Sequence, residues 1–157
     1  MTNLIIIFGA KYLVFVILIL ATIYFFKQDN FNKKKIFIFS LISLPLIFII
    51  AKIASHFYFN PRPFVVGNFT PLIPHAPDNG FPSDHTLLSS AVAMIIFYFN
   101  KKIGLLLLFL AILVGASRVL ANIHHPLDII GSLLIPILST LLVNYFVVRY
   151  IKLFNNK

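Results

Sequence analysis

The chain predicts an all-α, polytopic integral membrane helix bundle of about five transmembrane helices. Three observations point there. Of its 157 residues 60% are hydrophobic and only 11% charged, with no glutamate, whereas soluble domains carry about 25% charged residues. Apolar runs recur at roughly the length that spans a ~30 Å hydrocarbon core at 1.5 Å rise per residue. Short cationic clusters separate those runs, as juxtamembrane charges do. The length suits one domain, 1–157, and no linker marks a second.

The first span, Leu4 to Phe26, has no charged segment before it and no small-residue cleavage site, so it reads as a retained helix rather than a secretory signal. Lys11 interrupts it, either snorkelling to the nearer surface or facing the bundle interior. The second runs from Ile36 to about His56, with Pro45 inside, which membrane helices tolerate. Phe57 to Pro82 holds six of the nine prolines. That connection cannot be one helix and cannot lie bare in hydrocarbon. The third span starts near Ser83 and ends around Asn100, the fourth covers Ile103 to about Ala121, and the fifth Pro126 to about Val148.

Net charge is +9, yet no basic helix face or loop is shaped for a nucleic-acid groove, so no nucleic-acid partner is expected. Instead Lys27, Lys33, Lys34, Lys35, Lys101, Lys102, Arg149, Lys152 and Lys157 share one side of a five-span topology. The positive-inside rule makes that side, with the C-terminus, cytoplasmic. The Phe57–Pro82 connection and the Ala121–His125 turn then share the outer face. Absence of cysteine excludes a disulfide frame, a thiol nucleophile and a Cys-based metal site.

The remaining ionisable residues concentrate in three stretches at that outer boundary: Asn60-Pro61-Arg62-Pro63-Phe64, Phe81-Pro82-Ser83-Asp84-His85, and Ser117-Arg118 through Asp128. Their convergence suggests phosphoryl transfer. Guanidinium forks suit phosphate oxygens and can neutralise the charge of the transition state. Ser83 stands at a helix start, where free N–H groups favour an anion; a plain N-cap is its alternative role. His124 and Asp128 share a helix face at i, i+4. A carboxylate on one imidazole nitrogen leaves the other free to attack phosphorus, giving a phosphohistidine, with His85 as proton donor; alternatively His124 and Asp128 are a structural pair closing the fifth helix. No metal or cofactor is expected, because the two arginines repel a cation and already supply positive charge.

These stretches resemble the signatures of the type 2 phosphatidic acid phosphatase (PAP2) superfamily, K-x6-RP, PSGH and SR-x5-H-x3-D. Arg62-Pro63 is similar to the end of the first, Pro82-Ser83-Asp84-His85 to the second, and Ser117-Arg118 with His124 and Asp128 to the third at full spacing. The resemblance covers about residues 52 to 130 and implies a PAP2-type core. It implies His124 as nucleophile, Asp128 as its orienting partner, His85 as general acid, and Arg62, Ser83 and Arg118 as phosphate ligands, without metal. Two positions depart from it. Ser55 occupies the place of the phosphate-binding lysine, with Lys52 one helical turn earlier as substitute ligand or interfacial anchor. Asp84 replaces the usual glycine beside the phosphate.

Tyr58 to Val65 and Phe81 to His85 further resemble the bacterial undecaprenyl-diphosphate phosphatases of the bacitracin-resistance type. That implies removal of the terminal phosphate of undecaprenyl diphosphate at the outer side of the cytoplasmic membrane, with a polyprenyl diphosphate or other phospholipid and the bilayer as partners. Phosphatidylglycerophosphate, phosphatidic acid and a lipid A phosphate are the alternative substrates. A small transporter or channel is a rival class, as is a structural membrane subunit. The gathering of charge at one boundary, with only Lys11 deep in a span, disfavours a path across.

Overall fold

The computed structural model describes residues 2–150, with side chains to residue 147; of the cationic tail, the side chain of Arg149 and all of Lys152 and Lys157 lie outside the described residues. The elements are α1 (Thr2–Lys11), α2 (Leu13–Phe26), α3 (Asn30–Phe57), α4 (Pro63–Val66), α5 (Asp84–Phe99), α6 (Lys101–Leu120) and α7 (Pro126–Tyr150). Local chemistry sets the starts. Asp29 caps α3 by accepting from the amides of Phe31 and Asn32, and Asn100 caps α6 by accepting from Ile103. Pro126 opens α7 at the one position where its missing N–H costs nothing.

Five full spans are not what forms. Among the described residues α3, α6 and α7 are long and apolar enough to cross a membrane, and α1 with α2 makes a fourth candidate, bent by 49°. The break falls at Lys11 and Tyr12, both exposed, so Lys11 does not face the bundle interior. The helix of the expected third span, α5, has 16 residues, about 24 Å at 1.5 Å per residue. Its setting explains the shortness. Nine of those residues are buried, and α2, α3, α6 and α7 all pack on it. A helix lined by protein rather than lipid has no hydrocarbon thickness to match.

Helix association in lipid gains little from the hydrophobic effect and relies on close packing and internal polar bonds. Both are visible around α5. Ser89, Ser90, Ala91 and Ala93 are small and buried, and Gly104 of α6 lies against the Phe97 backbone, leaving no room for a Cβ. Pro136, inside α7, removes the amide that would bond the Ser132 carbonyl. The Ser90 hydroxyl of α5 donates to that carbonyl at 2.6 Å. Large apolar side chains such as Phe15, Ile19, Phe48, Phe109, Leu138 and Leu141 point outward, exposed, as a lipid-facing surface requires.

Candidate active site

The antiparallel order of α3, α5, α6 and α7 puts the C-terminal ends of α3 and α6 beside the N-terminal ends of α5 and α7, and all three polar stretches meet there. The two arms of the proline-rich connection pair through an isolated bridge between Pro61 and Asn79, with the Gly80 amide donating to the Asn60 carbonyl at 2.9 Å. Asn79 is the clasp. Its Oδ1 accepts from the amides of Asn60 (2.9 Å) and Phe81 (3.0 Å), and its Nδ2 reaches the Ser55 carbonyl (3.0 Å) and hydroxyl (3.1 Å). Ser55, at the place of the family's lysine, is therefore a tether between α3 and the loop.

Between α6 and α7 the chain turns through Asn122, whose φ of 58° is a left-handed conformation that asparagine adopts more readily than most residues. Ile123 is buried beneath the turn, and His124, 2% exposed, faces inward. The Asp128 carboxylate, wholly buried, accepts from His124 Nδ1 (3.2 Å), the His125 amide (2.8 Å) and Asn60 Nδ2 (2.7 Å). The His125 contact is the reciprocal half of a capping box, from the third helical residue back to the cap. One carboxylate thus starts α7 and orients the imidazole. A Cβ at Gly80 would stand 2.9 Å from Asp128 Oδ2 and 3.1 Å from the Asn60 carbonyl, so close approach of the backbone demands glycine there.

With Nδ1 held as donor to Asp128, Nε2 of His124 carries the free lone pair. Both arginines point at it: Arg62 Nη1 lies 3.1 Å away and Arg118 Nη2 3.2 Å. Arg62 is also anchored by donating from Nη1 to the Ile123 carbonyl (2.8 Å) and from Nε to Asp78 Oδ1 (2.7 Å). Arg118 Nη1 donates to the Ala10 carbonyl at the end of α1 (3.0 Å), and Nη2 lies 3.3 Å from His75 Nε2. Its Nε is buried without a partner. Arg118 is 3% exposed, and no carboxylate of the described residues pairs with it. A buried cation so placed is costly unless an anion joins it.

Burial holds the His124 imidazole below its ordinary value of 6.5; the Asp128 hydrogen bond opposes this, while the charges of Arg118 and Arg62 reinforce it. His75 is lowered for the same reasons, burial first and the two arginines next. In Asp78, partial burial works upward but the hydrogen bond and charge of Arg62 win, keeping the carboxyl below its ordinary range. A nucleophilic imidazole must be neutral, and a lowered pKa extends the neutral form to lower pH. The acid limb of kcat/KM for phosphate release is therefore expected below pH 6.5, read from a pH–rate profile; a limb above pH 7 would contradict it.

Ser83 is wholly buried. It precedes α5 without a side-chain cap bond; its amide donates to Ser132 Oγ (2.7 Å) and its hydroxyl accepts from Thr86 (3.2 Å). His85, half-buried in the first turn of α5, lies within electrostatic range of Arg118, Asp84 and His124. Lys52 is not among the groups meeting His124. Its ammonium stands 5.4 Å from the Phe48 ring centroid, and with Arg62, His75, Asp78 and the exposed Asp84 it lines a cavity of about 220 Å³. Sequence reasoning missed the parts played by Asn60, Asn79 and Ala10. Asn60, beside Arg62, carried a signal as a polar residue within the first motif; a backbone carbonyl on the first helix carries none.

Comparison with known proteins identifies the family. The chain is 35% identical over 144 residues to the bacitracin transport permease protein BcrC of Bacillus licheniformis, covering 91% of this chain and 70% of that one. It is 44% identical over 81 residues to undecaprenyl-diphosphatase BcrC of Bacillus subtilis (strain 168), covering 52% of this chain and 42% of the relative. The crystal structure of Aquifex aeolicus LpxE superposes with a TM-score of 0.67 at 23% identity, covering 90% of this chain and 81% of that one. The PAP2 superfamily model matches residues 36–152, and the chain belongs to that superfamily.

Proposed function

We propose that this membrane phosphatase hydrolyses undecaprenyl diphosphate to undecaprenyl phosphate and inorganic phosphate, at the outer face of the bacterial cytoplasmic membrane. The observation that carries the proposal is His124: Asp128 holds Nδ1, and two guanidiniums stand within hydrogen-bond distance of Nε2. The terminal phosphoryl group takes the place between imidazole and arginines. His124 Nε2 attacks phosphorus as the bond to the bridging oxygen breaks, and Arg62 and Arg118 stabilise the equatorial oxygens. His85 gives the proton to the departing lipid phosphate, then takes one from the water that hydrolyses the phosphohistidine. Asp128 stays ionised and fixes the tautomer throughout.

The identity to undecaprenyl-diphosphatase BcrC supports the substrate. Charge supports that orientation: Lys27, Lys33, Lys34 and Lys35 cluster where α2 meets α3, and Lys101 and Lys102 where α5 meets α6, the end opposite the arginine pocket. One relative is named a transport permease; here the buried charges gather at one end, as hydrolysis needs. The test is phosphate release by the purified protein, in EDTA, from undecaprenyl diphosphate and phosphatidylglycerophosphate. Faster, chelator-insensitive release from the former is expected. Equal or faster release from phosphatidylglycerophosphate would overturn the substrate, and flux through vesicles without any release would overturn the reaction.

A further inference from the structure

Resting on that reading, the two cavities beside the site carry a statement about which part of the substrate each residue meets. Arg62 lines the polar cavity of about 220 Å³, and its Nη1 lies 3.1 Å from His124 Nε2. A second cavity of about 470 Å³ lies between α3 and α5, lined by Leu44, Ile47, Leu88 and Ala91. The two share Phe48, Lys52, Asp84 and Leu87, so Lys52 and Asp84 stand at the junction of a polar and an apolar compartment.

Position along α3 refines this. Ser55 is occupied by the Asn79 clasp at the level of the loop. Lys52 lies three residues earlier, about 4.5 Å deeper toward the bilayer interior. Its ammonium stands 5.4 Å from the centroid of the Phe48 ring, one turn earlier on α3, and no carboxylate of the described residues pairs with it. The transferred phosphate already has two arginines. In a lipid diphosphate the second phosphate necessarily lies on the tail side of the first, at the junction, where Lys52 supplies the positive charge and Asp84 a negative one.

We propose that Lys52 binds the lipid-proximal phosphate of a diphosphate and so sets the preference for a diphosphate over a monophosphate lipid. It is a specificity residue and takes no part in attack on phosphorus. A charge-assisted contact of this kind changes affinity about tenfold or more. The experiment compares kcat/KM for polyprenyl diphosphate and polyprenyl monophosphate of equal chain length in detergent micelles. Lys52→Met should lower the diphosphate-to-monophosphate ratio about tenfold, Lys52→Arg should restore most of it, and Asp84→Asn should raise it. A Lys52→Met protein that loses both activities by the same factor, or neither, overturns the proposal, as does an Asp84→Asn protein with a lowered ratio. A wild-type protein inactive on both lipids would instead overturn the underlying phosphatase reading.

Discussion

His124→Ala should reduce phosphate release to background, a loss of about 10³-fold or more. Removing the imidazole removes the atom that attacks, so the reaction has no covalent route. The remaining arginines would still hold phosphate and even gain room for it. Binding of inorganic phosphate or of a non-hydrolysed lipid analogue should therefore survive the substitution, while turnover does not. The buried pair with Asp128 is also a structural contact. Thermal unfolding of the purified variant in detergent separates the two effects: a folded protein without turnover is expected. A folded variant that still hydrolyses lipid would contradict the role given to His124 here.

Arg118→Met should cost about 10²–10³-fold in kcat, the usual price of removing one donor aimed at developing charge. Stability should move little, or rise. Arg118 is buried, its Nε has no partner, and it lacks a paired carboxylate among the described residues. Its positive charge thus burdens the empty fold and is relieved only when an anion binds. Arg118→Lys should recover little activity, because a point charge cannot contact the Ala10 carbonyl and the phosphate position with one planar fork. Melting temperature and kcat measured on the same preparations check both halves. A large fall in melting temperature would show instead that Arg118 serves chiefly to hold α1 on α6.

How much of this was legible in the residues differs from place to place. The juxtaposition of Arg62, Arg118, His124 and Asp128 followed from topology: antiparallel helices return every second connection to the same end, and apolar runs are easy to count. The i, i+4 spacing of His124 and Asp128 announced their contact. Helix length was less legible. Hydropathy reports that Ser83 to Asn100 is apolar, but not whether lipid or protein surrounds it, and α5 is short because other helices enclose it. Least legible were contacts made through the backbone. The Ala10 carbonyl that steadies Arg118 depends on where the first helix bends and docks, and Asn79 reads as an ordinary loop residue until its partners are seen. Asp84 and Ser55 departed from the family pattern without saying why; one lines the junction of two cavities, the other anchors a loop.

The covalent intermediate offers the most direct measurement. Wild-type protein is mixed with polyprenyl diphosphate labelled in its terminal phosphate, denatured with base within the first turnovers, and mapped by peptide. Phosphohistidine survives base and is lost in acid. Label in the peptide that carries His124, released by acid and missing from His124→Ala, is the expected result. Label on His85 or on no residue at all, in a protein that is hydrolysing the lipid, would contradict attack by His124.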